Sequence, residues 1–419
     1  MISWKLKTRS LQPIGLDIGH NSIKMIQLAI SGEHMSILAA DKVHIKGMNG
    51  DEKARSSFIV SAIKQMLAGG KFRGRNVVSC LPNEKLKITS LRLAETDTDG
   101  IEQALKKEAS QRFGMDPEKD IINYLVAGNV QSGDEIKSEL ILFAASDESI
   151  RSHIAMLDEL QLRPVAIDTV PCALFRSFKR SRRREEDKEQ TGVFVDIGSR
   201  YTTVVFGRGG EISFTKQIPI GGEKFNSEIA SKLGVSIDEA EILRGKLQME
   251  STLKAEAGLG VSQLSSPVQD SLVSVSQARQ DGDGHSAEQF ARPERPTAEG
   301  LSRSSLDAST QQVMIDVIGA AAEELAKEIS LCLRYYTVTF RGKHVERAVF
   351  SGGEAYERIL LNVLRRHLTA KIEIAQPLKG LDILDSTNVN FGSNRRNLLC
   401  EWAVAVGLSL KGWEDQRKL

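Results

Sequence analysis

The chain lacks the residue groupings that announce several common chemistries. Its four cysteines, Cys80, Cys172, Cys332 and Cys400, stand far apart with no CxxC pair and no neighbouring histidine cluster, so they read as reduced core residues and not as a zinc site. The seven histidines are scattered, with no HExxH and no local His–Asp–Ser signature, which leaves a zincin or a hydrolase triad unsupported. No stretch reaches the roughly 18 uninterrupted apolar residues of a membrane span. The opening MISWKLKTRSLQP is basic but has no apolar h-region, so the expectation is a protein made and kept in the cytoplasm, with no direct membrane span. Net charge is missing too. Lys+Arg 56 against Asp+Glu 55 leaves +1, a balance that gives no reason to expect nucleic acid as a partner.

What is present is enough apolar material for more than one core. The chain has 419 residues, 41% of them hydrophobic and 26% charged, and single cores stop growing near about 250–300 residues. Apolar, β-rich runs (IGLDIG, SIKMIQLAI, VVSCLP, ELILFAAS, GVFVDIG, YTTVVFG, RAVFSGG) alternate with helical periodicity at Arg55 to Ala68, Ile101 to Phe113, Glu148 to Leu160, Gly222 to Leu233, Gln311 to Tyr336, Tyr356 to Leu368 and Asn397 to Leu410. That alternation predicts an α/β architecture. Two stretches interrupt it. Lys179 to Gln190 is almost wholly charged and reads as a solvated linker or helix end. Gln248 to Thr310 is rich in Ser, Gln, Asp, Glu, Gly and Pro, keeps no lasting apolar period, and reads as a disordered insertion acting as a spacer.

One plan occurs twice. Ile14 to Ile45 has an apolar strand ending in Asp17-x-Gly19, a strand after Ser22, a turn at Ser31-Gly32 and a third strand. Phe194 to Ile220 repeats it through Asp196-x-Gly198, a strand after Thr202 and a turn at Gly209-Gly210. A glycine without Cβ lets successive backbone N–H groups face one concavity suited to phosphate oxygens, and a following hydroxyl adds a donor. The Asp at the strand end can hold Mg²⁺ through its waters, since that ion keeps most of its hydration shell. Two such turns facing each other would grip a polyphosphate from both sides.

On these residues the chain resembles the actin-like ATPase superfamily. IGLDIGHNSIK is similar to its first phosphate motif, VDIGSRYT to its second and VFSGGE at Val349 to Glu354 to its adenosine motif, in family order. Within that superfamily it resembles the PilM family of type IV pilus assembly. The similarity is carried by LRPVAIDTVPCALFRSF at Leu162 to Phe178, IPIGGEKFNSEIASKLGVSIDEAE at Ile218 to Glu241, EELAKEISLCLRYYT at Glu323 to Thr337 and WAVAVGLSL at Trp402 to Leu410. His20 stands where the family usually has Ser or Thr.

The resemblance implies a two-lobed actin-like ATPase fold of duplicated ribonuclease-H-like domains, with a small α+β subdomain inserted in the first lobe. Residues 1–83 begin the first lobe, 84–160 form the subdomain and 161–178 return to the lobe; 179–190 is the linker, 191–247 and 311–396 the second lobe around the 248–310 insertion, and 397–419 the C-terminal helix and tail. It also implies ATP or ADP with Mg²⁺. Asp17 and Asp196 would face the metal through water, with Asp196 the candidate catalytic carboxylate. Gly19, His20, Asn21 and Ser22 would line the first phosphate loop, and Gly198, Ser199 and Thr202 the second, followed by the Gly221-Gly222 stretch. Lys24 reads equally as a phosphate contact or an exposed strand lysine. Gly352, Gly353 and Glu354 would open a helix beside the adenosine, and Glu241 and Arg244 would meet ribose and adenine or remain solvated.

The function implied is a cytoplasmic ATP-binding scaffold of pilus or related secretion assembly, at most a slow ATPase. It would dock the cytoplasmic tail of a PilN-like inner-membrane protein, work among other pilus assembly proteins and be recruited to the inner face of the inner membrane by that partner. An actin-like small-molecule kinase is the alternative, but no separate motif supplies a base for an acceptor hydroxyl. An FtsA-like division filament is another, although WEDQRKL ends the chain without an amphipathic membrane helix.

Overall fold

The computed structural model describes residues 9–32, 34–45, 51–94, 98–132, 134–180, 190–258, 306–340, 345–392 and 398–412. The first repeat builds β1 (Ser10–Ile18), β2 (Ser22–Ser31) and β3 (His34–His44) as an antiparallel meander. β2 is buried along nearly its whole length, as expected of a strand covered on both faces. Helix α1 (Glu52–Ala68) follows, started by Asp51, whose carboxylate accepts from the N–H of Ala54. β4 (Asn76–Cys80) then lies parallel to β1, and β8 (Arg163–Asp168) parallel to β4.

The second repeat takes the same course. β9 (Gly192–Ile197), β10 (Thr202–Arg208) and β11 (Glu211–Ile218) form a meander, β12 (Arg347–Ser351) lies parallel to β9, and β13 (Lys371–Ile374) parallel to β12. Strand order β3-β2-β1-β4-β8 in one sheet therefore equals β11-β10-β9-β12-β13 in the other. The molecule is a duplicated, two-lobed actin-like fold. Helices α4 (Val170–Lys179), α5 (Gly222–Leu233), α6 (Ile237–Gly258), α7 (Ala308–Thr339) and α8 (Arg358–His367) complete it.

Between β4 and β8 the chain inserts β5 (Lys87–Ala94), α2 (Thr98–Phe113), β6 (Ile121–Ser132) and β7 (Glu135–Ala145), a separate sheet of order β5-β7-β6. One face packs under α2 through Leu105, Ala109, Leu140 and Leu142. The other face carries Val130, Ile141 and Phe143 into the same core as Phe206, Phe214 and Tyr336 of the second lobe. By connectivity the subdomain belongs to the first lobe, yet it is packed on the second. Buried Glu139 fixes that contact: it accepts from Arg92 Nε at 2.7 Å and from Tyr335 of α7 at 3.0 Å, while Arg92 also donates to Thr339 at 2.8 Å.

Four boundaries differ from the sequence expectation. Helix α3 (Asp147–Glu159), counted there with the subdomain, buries Leu157 in the first-lobe core beside Ile14, Ile63 and Val77. From about Leu378 the chain, expected to stay in the second lobe, is back on the first. Leu378, Leu381, Val389 and Phe391 pack around Trp402, and β14 (Asp382–Ile383) pairs with β3. The C-terminal helix shortens to α9 (Ala403–Ser409), which is entirely buried on the first sheet. Finally, α6 continues past Gln248. Its Glu250 accepts from the N–H of Leu306 at 3.1 Å and from Gln311 at 2.8 Å, so both ends of the expected insertion are ordered and clasped together. The rest of that insertion, residues 259–305, and residues 181–189 of the charged linker lie outside the described residues.

Candidate functional site

The two meanders present their Asp-x-Gly turns across a cleft of about 830 Å³, within the usual range for small-ligand sites. The turns are built alike. The N–H of Gly19 donates to the carbonyl of Ser22 at 2.9 Å, and that of Gly198 to the carbonyl of Tyr201 at 3.0 Å. Each glycine amide is thus spent within its own turn, so donors offered to a ligand have to come from the residues that follow it. The turns also touch: Ser199 Oγ donates to Asn21 Oδ1 at 3.2 Å, joining the two loops across the cleft.

Asp17 and Asp196 stand at the ends of β1 and β9. Lys24, opposite Asp17 in the β1–β2 register, donates to its Oδ2 at 2.8 Å, and the ammonium is buried. The exposed alternative for Lys24 is therefore overturned. Burial disfavours its charge, but Asp17 beside it, with Asp196 and Glu401 farther off, leaves its pKa above the ordinary lysine value. Burial and the charge of Asp17 push the Asp196 carboxyl up to about 6, against the opposing hydrogen bond from Ser351 and the charge of Lys24. Two carboxylates with one ammonium leave the cleft floor short of positive charge.

His20, Asn21, Ser22, Gly198, Ser199, Glu241, Arg244, Gly352, Gly353 and Glu354 line the same cleft. Three other residues expected there do not. Thr202 is fully buried with its hydroxyl donating to the carbonyl of Ile220 at 2.7 Å, because it opens β10 facing the core. Gly221 and Gly222 act as spacers, and the N–H of Gly222 is spent on the carbonyl of Gly198 at 3.1 Å. A Cβ on Gly222 would stand 2.0 Å from Glu354. Gly352 has φ +93, and a Cβ there would meet the carbonyl oxygen of Ile197 at 2.2 Å, so no other residue fits this turn. The helix expected directly after it is a single 3₁₀ turn, Gly353–Tyr356, with α8 starting at Arg358 behind the cap Glu357.

Arg244 is neither solvated nor free. It lies 6% exposed on α6, donates to the carbonyl of Gly222 at 3.1 Å, to Asn226 at 2.7 Å, to Glu357 at 3.3 Å and to Glu354, and stacks over Phe225. Several cleft residues escaped the motif reading. Lys42 pairs with Glu401 at 3.2 Å and Tyr356 donates to Glu401 at 2.6 Å, which bridges the first lobe to the 3₁₀ turn of the second. Arg55 of α1 donates to the carbonyl of Gly19 at 3.0 Å, and Arg200 occupies the second turn itself. Arg200 was visible inside VDIGSRYT; Glu401 beside Trp402 carried no signal of its own.

The family profile described as "Type IV pilus assembly protein PilM" matches residues 15–256, and that of "Cell division protein FtsA" residues 193–382. Among solved structures, the chain is similar to one described as "PilM-PilN type IV pilus biogenesis complex", at 17% identity and TM-score 0.66, covering 96% of this chain and 98% of that one. It also aligns with the ethanolamine utilization protein EutJ of Carboxydothermus hydrogenoformans, at 11% identity and TM-score 0.49 over 96% of this chain and 89% of that one. A further alignment is with MreB5 of Spiroplasma citri bound to ADP, at 11% identity and TM-score 0.45 over 97% of each chain. With more than half of its length matched by the first profile, the chain belongs to the PilM family of type IV pilus assembly proteins.

Proposed function

We propose that the protein is a nucleotide-binding scaffold of type IV pilus or related secretion assembly. It takes ATP or ADP with Mg²⁺ between its lobes and docks the cytoplasmic tail of a PilN-like inner-membrane protein. The observation that carries the nucleotide reading is the pair of identically bonded Asp-x-Gly turns on one cleft, Gly19 to Ser22 and Gly198 to Tyr201. Family membership carries the assembly reading, supported by the fold shared with the structure described as a PilM–PilN complex.

The residues present fit the metal. Asp17 and Asp196 offer two hard carboxylates on one cleft, and burial together with the charge of Asp17 disfavours ionised Asp196, a cost that a divalent cation would offset. Among the described residues no three His, Cys, Asp or Glu side chains cluster to cage an ion. Asp17 and Asp196 would hold it through water, and when bound it would neutralise phosphate charge. His20 to Ser22 and Ser199, on the turns that Gly19 and Gly198 shape, would hold the phosphates, and Glu241, Gly352 and Gly353 the nucleoside end. Asp196 would act as the acceptor of a water proton in whatever slow hydrolysis occurs.

The subdomain gives the nucleotide a lever. It is tied by chain to the first lobe and by packing to the second, so a change of lobe angle displaces it against the first lobe and alters the groove between them. No helix among the described residues is long and apolar enough to cross a membrane. Recruitment to the inner membrane would come through the PilN-like partner.

Calorimetry with ATP and ADP should find binding that EDTA and Asp17→Ala both weaken strongly. Fluorescence titration of a PilN-type tail peptide, with ATP, ADP or neither, should give affinities that depend on the nucleotide. Absence of peptide binding in every state, together with phosphorylation of a small hydroxyl compound, would replace the scaffold with a kinase.

A further inference from the structure

The first turn of the cleft is ringed by basic groups that the motifs did not anticipate. Arg55 reaches in from α1 to the carbonyl of Gly19 at 3.0 Å, Arg200 enters from the second turn, and half-buried His20 lines the same cleft within the field of both. They repel one another. Burial is the main cause that lowers the pKa of both Arg55 and His20, and the charge of Arg200 comes next for each. Two carboxylates offset this ring. Glu223 holds the Arg200 guanidinium at 2.7 Å, a full charge-assisted hydrogen bond, whereas Glu84 stands 3.7 Å from its other edge, beyond hydrogen-bond range. One edge of Arg200 is therefore anchored and the other is weakly engaged beside the phosphate turns.

Glu84 occupies an informative place. It lies in the single 3₁₀ turn Asn83–Lys85 that joins β4 to β5, where the chain enters the small subdomain. The same turn is held to the second lobe by its neighbour. Asn83 accepts from Gln217 at 2.9 Å and donates to Thr203 at 3.4 Å. The entry of the subdomain is thus clasped to β10 and β11, the strands that follow the second phosphate turn in its meander.

We propose that Arg200 reads the terminal phosphate of the bound nucleotide, exchanging its loose contact with Glu84 for that phosphate and so loosening the clasp at the subdomain entry. The inference rests on the nucleotide reading above and adds to it the residue that separates ATP from ADP. A phosphate oxygen competes well for the guanidinium, since bidentate pairing outmatches a carboxylate beyond bonding distance. Arg55, fixed on the first turn, supplies the complementary positive field.

The test is calorimetric affinity for ATP and for ADP, each with Mg²⁺, on wild type, Arg200→Ala, Arg200→Lys and Glu84→Gln. Arg200 is 41% exposed in its side chain, so the fold should tolerate its loss, and melting curves check this. Arg200→Ala should lower ATP affinity about tenfold and leave ADP within about twofold, with Arg200→Lys in between. Glu84→Gln should raise ATP affinity and leave ADP unchanged. Hydrogen exchange over residues 83–94 should quicken with ATP in the wild type and not in Arg200→Ala. Equal losses for both nucleotides in Arg200→Ala, a fall in ATP affinity in Glu84→Gln, or exchange that ignores ATP would each overturn the proposal while leaving nucleotide binding intact. A wild type that binds neither nucleotide would overturn the underlying reading and this one with it.

Discussion

Arg244→Met separates a structural arginine from a ligand contact. Among the described residues the guanidinium is the single cation bonded to Glu354 and Glu357, whose side chains are 15% and 3% exposed, and it ties α6 to the 3₁₀ turn at Gly353 and to the cap of α8. Removing one partner of a buried ion pair leaves uncompensated charge and costs about 3–5 kcal/mol, more than the pair itself contributes. Met fills similar volume, so the loss reads the charge and not a cavity. Urea unfolding of ligand-free protein at pH 7 should show a loss of that order. Arg244→Lys should recover only part, since an ammonium cannot serve Gly222, Asn226 and both glutamates with one planar fork. A loss below about 1 kcal/mol, with nucleotide affinity abolished, would refute this reasoning and return Arg244 to the adenine.

Gly352→Ala should destabilise the protein by about 2 kcal/mol or more, because a Cβ at φ +93 collides with the Ile197 carbonyl; a melting temperature equal to wild type would show the turn to be adaptable. Glu139→Gln should loosen the subdomain from the second lobe, seen as faster hydrogen exchange in β5 and β7, since neutralising the buried carboxylate weakens its bonds from Arg92 and Tyr335. Deleting Gln248 to Thr310 should lower the melting temperature, because it removes the Glu250 bonds to Leu306 and Gln311 and the Asp307 cap of α7. Mg²⁺-dependent nucleotide affinity should fall as the pH drops through about 6, where Asp196 gains its proton.

The duplicated fold was legible because it is written in local patterns. Each meander has its own apolar strands and its own Asp-x-Gly punctuation, and the structure joins both into sheets of one topology. What stayed hidden is set by distant parts of the chain. The return of Leu378 to Phe391 to the first lobe rests on a two-residue strand and four partly buried side chains around Trp402, too little for periodicity to register. Arg244 sits on a charged helix whose surface pattern hides one buried guanidinium, and only the fold brings Glu354 and Glu357 to it. Thr202 follows a phosphate motif in sequence, yet the strand's alternation turns its hydroxyl inward. The clasp at Asn83 and Glu84 joins residues more than a hundred positions apart, so no motif contains it.

Asp196 offers the sharpest distinction between a site and a scaffold, because the two demand opposite things of it. Its carboxyl titrates near 6 in the folded protein, against an ordinary value of 3.8, so between those limits the folded state binds the proton that the unfolded state has released. Stability therefore falls as the pH rises through this window, and above it the full cost remains, about 3 kcal/mol for a shift of this size. A residue kept for stability alone would not stand here ionised beside Asp17. Asp196→Asn removes the charge, keeps the shape and can still accept from Ser351. The ligand-free variant should therefore be more stable than wild type at pH 7.5, by up to that amount, and no more stable than wild type near pH 4, where the wild-type carboxyl is already neutral. The same variant should lose Mg²⁺-dependent nucleotide affinity. Thermal unfolding at the two pH values, with and without Mg²⁺ and ATP, decides the matter. A variant less stable than wild type at pH 7.5 would show that Asp196 is ionised and well solvated in the fold, and the charge deficit argued for the cleft floor would be wrong.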